Sequence, residues 1–211
     1  MFELVLATVF GYLVGSIFIS YFWGKLKGVD LTREGTGQLG GSNAGRILGW
    51  PAMIITGLFD IFKGTIALIV ILFMFKTRDS PYLEVILITG SCGVMLGHIY
   101  SLWMRLLTKE WQGGRGAAPF GGIILFISWE SFIILYIVLM VILLLVKKYL
   151  IAKKTIYDNL LTNAIVFVFT PFVVFHFTGN ILYIAWILLL VVIMAFGERK
   201  KLLEILSRIR T

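Results

Sequence analysis

Three polar segments interrupt a chain that is otherwise strongly apolar, and each carries groups suited to holding an anion. The richest is Gly35-Thr36-Gly37-Gln38-Leu39-Gly40-Gly41-Ser42-Asn43-Ala44-Gly45-Arg46, with five glycines in twelve residues. Glycine lets a backbone approach a ligand closely, and successive inward N–H groups make an anion-binding nest. A helix starting near Asn43 would turn its positive end toward the same anion. Arg46 can grip two phosphate oxygens at once, while Thr36, Ser42, Gln38 and Asn43 add hydroxyls and amides. The plainer alternative is a flexible turn followed by a helix cap at Ser42 or Asn43. Neither GxxxxGKS/T nor a strand-flanked GxGxxG occurs, so nothing points to a nucleotide.

The second segment is Asp60 with Lys63, inside an apolar run. Three residues apart, they share a helix face. Each costs roughly 2.5–3.5 kcal/mol to insert at the centre of a span, and intramembrane ionisable residues mark function by default. Lys63 can be a counter-charge for a phosphate with Asp60 holding it in place; the alternative is a self-neutralising pair that only positions helices. The third segment is His98, which ends an apolar run, followed by Gln112-Gly113-Gly114-Arg115-Gly116. Gly113, Gly114 and Arg115 form a second candidate anion loop ahead of a helix. His98 reads either as a hydrogen-bonded structural residue or as part of the site; no acid in the sequence clearly orients it, so no serine–histidine–acid set is assigned.

These groups must be positioned by membrane-spanning helices. Of 211 residues, 59% are hydrophobic and 14% charged, against roughly 45–50% and 25% in a soluble domain. Mean hydropathy is +0.97. Soluble globular and disordered chains are excluded, leaving an all-α integral membrane protein read as a single domain over residues 1–211. The net charge of +8 fits basic loops facing anionic lipid or an anionic substrate and not nucleic acid. A lone Cys92 excludes an internal disulfide or a cysteine cluster, and His98 and His176 alone make a metal site unexpected. The N-terminus has no basic region ahead of its apolar run, so a retained helix is expected instead of a cleaved signal.

Apolar spans are expected at Phe2–Trp23, Pro51–Phe75, Leu83–Leu107, Leu160–Phe177 and Ile181–Phe196. The Thr178-Gly179-Asn180 turn separates the last two. Gly121–Val146 is either one long span or two broken at Trp129-Glu130-Ser131, with Glu130 an outer turn residue. Breaking it places sixteen basic residues on one side and two, Lys76 and Arg78, on the other. By the preference of cations for the cytoplasmic face, seven helices are expected, N-terminus out and C-terminus in. The fourth, Arg115–Ser128, is short at about 21 Å and would lean on its neighbours. Gly11 and Gly15 form a GxxxG that suggests close helix packing. The tail, Glu198–Arg210, reads as a short basic helix on anionic lipid.

With these segments in view, the chain resembles the bacterial acylphosphate:glycerol-3-phosphate acyltransferases, known as PlsY. The resemblance lies in Gly24–Leu31, Gly35–Gly49, the Phe59–Gly64 run FDIFKG, the GHIY of Gly97–Tyr100 and the GGRG of Gly113–Gly116. It covers roughly the first 125 residues; beyond that it rests on hydropathy. Gly35, Gly37, Gly40, Asn43 and Arg46 match the family's phosphate loop, with Thr36, Gln38 and Ser42 as functional replacements. Asp60, Lys63 and Gly64 match its DxxKG, and His98 its GHxxP, although Ser101 stands where proline is usual. Arg115 keeps one of two cations in the second glycine segment; Gln112 replaces the other, and the spacing from His98 is about five residues longer. The family's C-terminal His and Asn have no counterpart in Phe196–Leu203.

The resemblance implies seven helices, an outside N-terminus and a place in the inner (cytoplasmic) cell membrane. It implies transfer of a fatty acyl group from acyl phosphate to glycerol 3-phosphate, giving lysophosphatidic acid and phosphate, with no cofactor and no metal. On that reading Gly35–Asn43 and Arg46 hold the acyl phosphate, and Thr36 positions a hydroxyl or phosphate oxygen. Lys63 and Arg115 hold the acceptor phosphate or stabilise the departing one, and His98 is counted with Thr36, Arg46, Lys63 and Arg115 as a catalytic residue. The missing tail residues leave a second reading, a divergent paralogue with another acceptor or no turnover. A third, a small anion transporter, lacks the paired interrupted helices that transporters show.

Overall fold

The computed structural model describes residues 1–76, 82–150 and 158–209, with side chains described for the same residues except 143, 145–150, 158–165 and 198–209. Arg78, Lys153 and Lys154 lie outside the described residues. So do the side chains of the other basic residues that follow Val146, in that cluster and in the tail. The described residues are helical throughout, without strands: α1 (Phe2–Gly15), α2 (Ile19–Leu26), α3 (Gly41–Leu48), α4 (Trp50–Lys76), α5 (Leu83–Ile99), α6 (Leu102–Thr108), α7 (Ala117–Ile127), α8 (Trp129–Leu150), α9 (Asp158–Thr178) and α10 (Leu182–Ile209). Three stretches, Phe2–Leu26, Trp50–Lys76 and Leu83–Thr108, are long and apolar enough to cross a membrane. Four shorter apolar helices are Ala117–Ile127, Trp129–Ile142, Val166–Thr178 and Leu182–Gly197. The chain is a polytopic, all-helical membrane protein.

The chain divides into two compact units, residues 1–123 with 192–211, and residues 124–191. Every residue singled out as a candidate site lies in the first. There α1 packs along α5, and α4 packs on α5 and α3. The α1–α5 contact is backbone to backbone. A Cβ on Gly11 would overlap the Gly90 carbonyl, on Gly15 that of Val94, on Gly93 that of Thr8, and on Gly97 that of Tyr12. The GxxxG of α1 thus meets a second glycine stripe on α5, and small residues let two apolar helices approach where lipid gives no hydrophobic drive. α4 buries one face at helical spacing: Ala52, Thr56, Asp60, Lys63, Gly64, Leu68, Ile71 and Phe75. Its other face shows Ile54, Leu58, Phe62, Ile66, Ile69 and Phe73 to the surroundings, as a lipid-facing helix must. α7 seats Gly122 against Ile61 of α4, where Thr65 Oγ1 donates to the Gly122 carbonyl at 2.8 Å.

Four boundaries differ from the sequence reading. The expected helix Phe2–Trp23 is two helices, broken at Ser16-Ile17-Phe18. The break is held open by polar partners for its carbonyls. Ser101 Oγ donates to Ser16 O at 2.7 Å and Lys63 Nζ to Ile17 O at 2.8 Å. The expected Leu83–Leu107 span likewise ends at Ile99, and α6 restarts under a Ser101 cap that accepts from the Met104 N–H at 3.2 Å. The turn expected at Trp129-Glu130-Ser131 falls at Ser128 alone. Ser128 Oγ accepts from the Ser131 N–H and donates to Glu130 Oε2, so Glu130 is in the first turn of α8 and not in a turn outside it. Finally, the last apolar run and the tail helix are one continuous helix, α10.

In the second unit α8 and α9 pack together. Asn180 separates α9 from α10 as expected, its Oδ1 accepting from the Leu182 N–H at 2.9 Å.

Candidate active site

The first glycine segment is a loop braced from within. Gly35 and Gly37 adopt φ of +62° and +68°, a left-handed backbone that side chains disfavour. Asn43, expected as a ligand group, is 2% exposed and turned back into the loop. Its Oδ1 accepts from the Thr36 N–H at 2.9 Å, and its Nδ2 donates to the Leu31 and Glu34 carbonyls at 3.3 and 3.0 Å. A Cβ on Gly35 would overlap Asn43 Oδ1, so the glycine also makes room for this brace. Upstream, Asp30 Oδ1 accepts from the Thr32 hydroxyl and N–H at 2.6 and 3.1 Å, and Oδ2 pairs with Lys25 at 3.1 Å. The Thr32 hydroxyl, first, and then Lys25 hold the Asp30 carboxyl below its usual range.

The loop ends at α3, whose cap is Gly40 and not Ser42 or Asn43. The first N–H groups of any helix have no acceptor within it. α3 rests closely on α4, with Gly41 against the Met53 carbonyl and Gly57, and Gly45 against the Met53 side chain. Thr36 and Ser42 are exposed near this helix start and Arg46 in the last turn of α3; Gln38 and Arg115 are half-buried.

Leu39 fixes the loop to the rest of the unit. Its side chain is buried with Phe18, Leu31, Ala44, Ala52 and Met104. Its carbonyl accepts from Ser20 Oγ, and its N–H donates to the Gly113 carbonyl at 3.1 Å. Through that last bond the first glycine loop is stitched to the second. The second is fixed in turn to α5, where the Gly114 N–H donates to His98 O at 2.8 Å. A Cβ on Gly113 would overlap the His98 and Ile99 carbonyls, and one on Gly114 would overlap His98 Nε2. Gly197, at the start of the tail, packs against Ile99 of the same turn.

Against the second loop lies a buried polar group. Asp60, Lys63 and His98 are 1%, 4% and 2% exposed. Lys63 Nζ meets Asp60 Oδ1 at 2.8 Å and the Ile17 carbonyl at 2.8 Å, and lies 4.3 Å from the centre of the Phe18 ring. The His98 ring is tilted against Phe18 at 4.8 Å, and its Nδ1 is 3.9 Å from Asp60 Oδ1. Asp60 is therefore the acid that faces His98, which the sequence order did not show. The structure thus sorts the expected site residues into two groups. Asp60, Lys63, His98 and Gly114 are buried, with Gly113 half-buried beside them; Thr36, Ser42 and Arg46 are exposed on and after the loop that Asn43 braces. Ser20, Leu39, Ser16 and Ser101, which join the pieces, carried no signal in sequence beyond being small polar or apolar residues near helix ends. Among the described residues no three His, Cys, Asp or Glu side chains gather as a metal centre requires.

Two glycine loops joined to each other, the second packed against a buried Asp60–Lys63–His98 group, stand on a polytopic helical frame. The glycerol-3-phosphate acyltransferase family matches residues 5–207, and the chain belongs to that family. It is 36% identical over 127 residues to a glycerol-3-phosphate acyltransferase of Chlorobaculum tepidum, covering 57% of this chain and 52% of that one. It is 33% identical over 128 residues to glycerol-3-phosphate acyltransferase 1 of Oceanobacillus iheyensis, covering 60% and 59%. The matches span between about half and three fifths of these relatives' lengths. The fold is that of the crystal structure of PlsY, an integral membrane glycerol 3-phosphate acyltransferase, in its glycerol 3-phosphate form. The TM-score is 0.75 at 22% identity, over 97% of this chain and 92% of that one. The lysophosphatidic acid form of the same protein matches with a TM-score of 0.73 at 21% identity.

Proposed function

We propose that the protein transfers a fatty acyl group from acyl phosphate to glycerol 3-phosphate, producing lysophosphatidic acid for phospholipid synthesis. The observation that carries this is the stitched pair of loops. The Leu39 N–H binds Gly113, the Gly114 N–H binds His98, Thr36 stands exposed near the start of α3 and Arg46 exposed in its last turn. Family membership supplies the reaction class. Acyl phosphate arrives activated, so orientation and charge stabilisation are the main demands on the protein. The acceptor hydroxyl oxygen bonds to the acyl carbon as the acyl–phosphate C–O bond breaks, and the hydroxyl proton leaves with the phosphate. Arg46 and those N–H groups of Gly35–Asn43 that are not already bonded to protein take the donor phosphate, and the Thr36 hydroxyl positions an oxygen of it. Arg115 takes the acceptor phosphate or stabilises the departing one, on a loop that Gly113 and Gly114 hold in place through their bonds to Leu39 and His98.

In this reading Lys63 acts through its charge. Its protons stay with Asp60 and the Ile17 carbonyl, and its charge makes the site favourable to a phosphate. Residues 1–211 are read as one domain with seven spans, N-terminus outside, in the inner cell membrane; three long and four shorter apolar helices among the described residues support the spans, the family match over residues 5–207 the single domain, and the placement of basic residues in the sequence the orientation. The second reading, a paralogue with a different acceptor, is favoured by the tail, where Arg199, Lys200 and Lys201 stand in place of the family's His and Asn. Arginine and lysine cannot accept a proton at neutral pH as imidazole does.

Acylation of glycerol 3-phosphate by palmitoyl phosphate, compared between wild type and Thr36→Ala, tests the assignment. A loss of about 10-fold or more in kcat/KM is expected for a group bonded to the transferring unit. Wild-type rates in the variant would remove Thr36 from the site. Binding of acyl phosphate without acylation would favour the paralogue.

A further inference from the structure

We propose that His98 is a positioning residue whose imidazole, set between Asp60 and Gly114, fixes the placement of the second glycine loop against the first. The inference rests on the phosphate-binding reading above. Four observations carry it. The ring is buried and packed against Phe18 at 4.8 Å, with Asp60 Oδ1 3.9 Å from its Nδ1, beyond hydrogen-bond distance. Its Nε2 end faces the Cα of Gly114 so closely that no Cβ fits there. The carbonyl of the same residue accepts the Gly114 N–H at 2.8 Å. The neighbouring Gly113 then accepts from the Leu39 N–H at 3.1 Å. One residue thus touches the second loop by side chain and by main chain, and that loop holds the first. Asp60 joins the ion pair to this arrangement, since the oxygen that binds Lys63 also faces His98. Gly114 is required by the imidazole beside it and not by its backbone angles; it is absent from the left-handed glycines.

Paired substitution tests the contact, and the split between kcat and KM separates placement of the loop from packing alone. Gly114→Ala pushes a methyl into the space of the imidazole, and His98→Ala removes the imidazole. If the ring places the loop, the two changes compensate. Each single variant is expected to lose about 10–100-fold in kcat, the scale of an ångström-sized misplacement, with smaller changes in KM. The His98→Ala/Gly114→Ala double variant is expected to retain far more activity than the product of the two losses. Losses that multiply would overturn the proposal, as would wild-type kcat in His98→Ala. If Gly114→Ala alone fails to fold, recovery of folded protein by adding His98→Ala supports the contact, and failure of both variants counts against it. The same four proteins are titrated with orthophosphate, which separates the two levels of inference. A wild type that binds phosphate but acylates nothing removes the acyl-transfer reading. The phosphate affinities of the four proteins, compensating or multiplying, then decide the role of His98.

Discussion

Lys63 serves several neighbours at once. Its ammonium pairs with Asp60, satisfies the carbonyl that the break between α1 and α2 leaves free, and lies over the Phe18 ring. Removing one member of a buried pair leaves the other charge unpaired, which costs about 3–5 kcal/mol. Lys63→Met is therefore expected to destabilise the protein by that amount in thermal unfolding. Asp60→Asn/Lys63→Met should cost less than Lys63→Met alone, because no charge is stranded. Asn43 gives a second prediction. Asn43→Asp keeps the acceptor for the Thr36 N–H but loses both donors to Leu31 and Glu34. A loss of about 1–3 kcal/mol is expected, together with a raised KM for the acyl phosphate; an unchanged melting temperature would show that the amide does not brace the loop. The Asp60–Lys63 pair was legible in the sequence, because i and i+3 share a helix face. The ties from Lys63 to Ile17 and from Asp60 to His98 were not, since they cross between helices at positions that spacing along one helix does not encode. The glycines of the loop were legible as glycines. That Asn43 braces them from inside depends on a fold-back over seven residues.

At the scale of elements, the glycine stripes decide how close α1 and α5 come. Gly97→Ala places a methyl on the Tyr12 carbonyl, a backbone atom that cannot rotate away. Overpacking of this kind costs about 1–3 kcal/mol, so a lower melting temperature in detergent is expected, and the same temperature as wild type would show that the helices can part without penalty. The positions of the apolar helices were readable from hydropathy, and the Gly11–Gly15 stripe from its spacing. The breaks were not. Ser16-Ile17-Phe18 has no proline or glycine of its own, and what stabilises it is supplied by Lys63 and Ser101 from distant segments. Ser128 ends α7 one residue before the expected turn because its hydroxyl caps α8, a local choice that the neighbouring Glu130 and Ser131 obscure in the sequence.

At the scale of the whole molecule, the excess of cations on one side gives the proposed orientation. In a Cys92→Ala background, a cysteine introduced at Lys109 should be shielded from a membrane-impermeant maleimide added to intact cells, and one at Asn180 should react. The reverse pattern would invert the orientation. The central claim, that two stitched loops bind phosphate groups for acyl transfer, is tested most directly by one assay. Purified protein in lipid is given palmitoyl phosphate and radiolabelled glycerol 3-phosphate, with Arg46→Ala alongside. Formation of lysophosphatidic acid with one phosphate released per acyl group, lost at least about 10-fold in kcat/KM with Arg46→Ala, is the expected result. Folded wild-type protein that forms no lysophosphatidic acid, or an Arg46→Ala variant that forms it at the full rate, would contradict it.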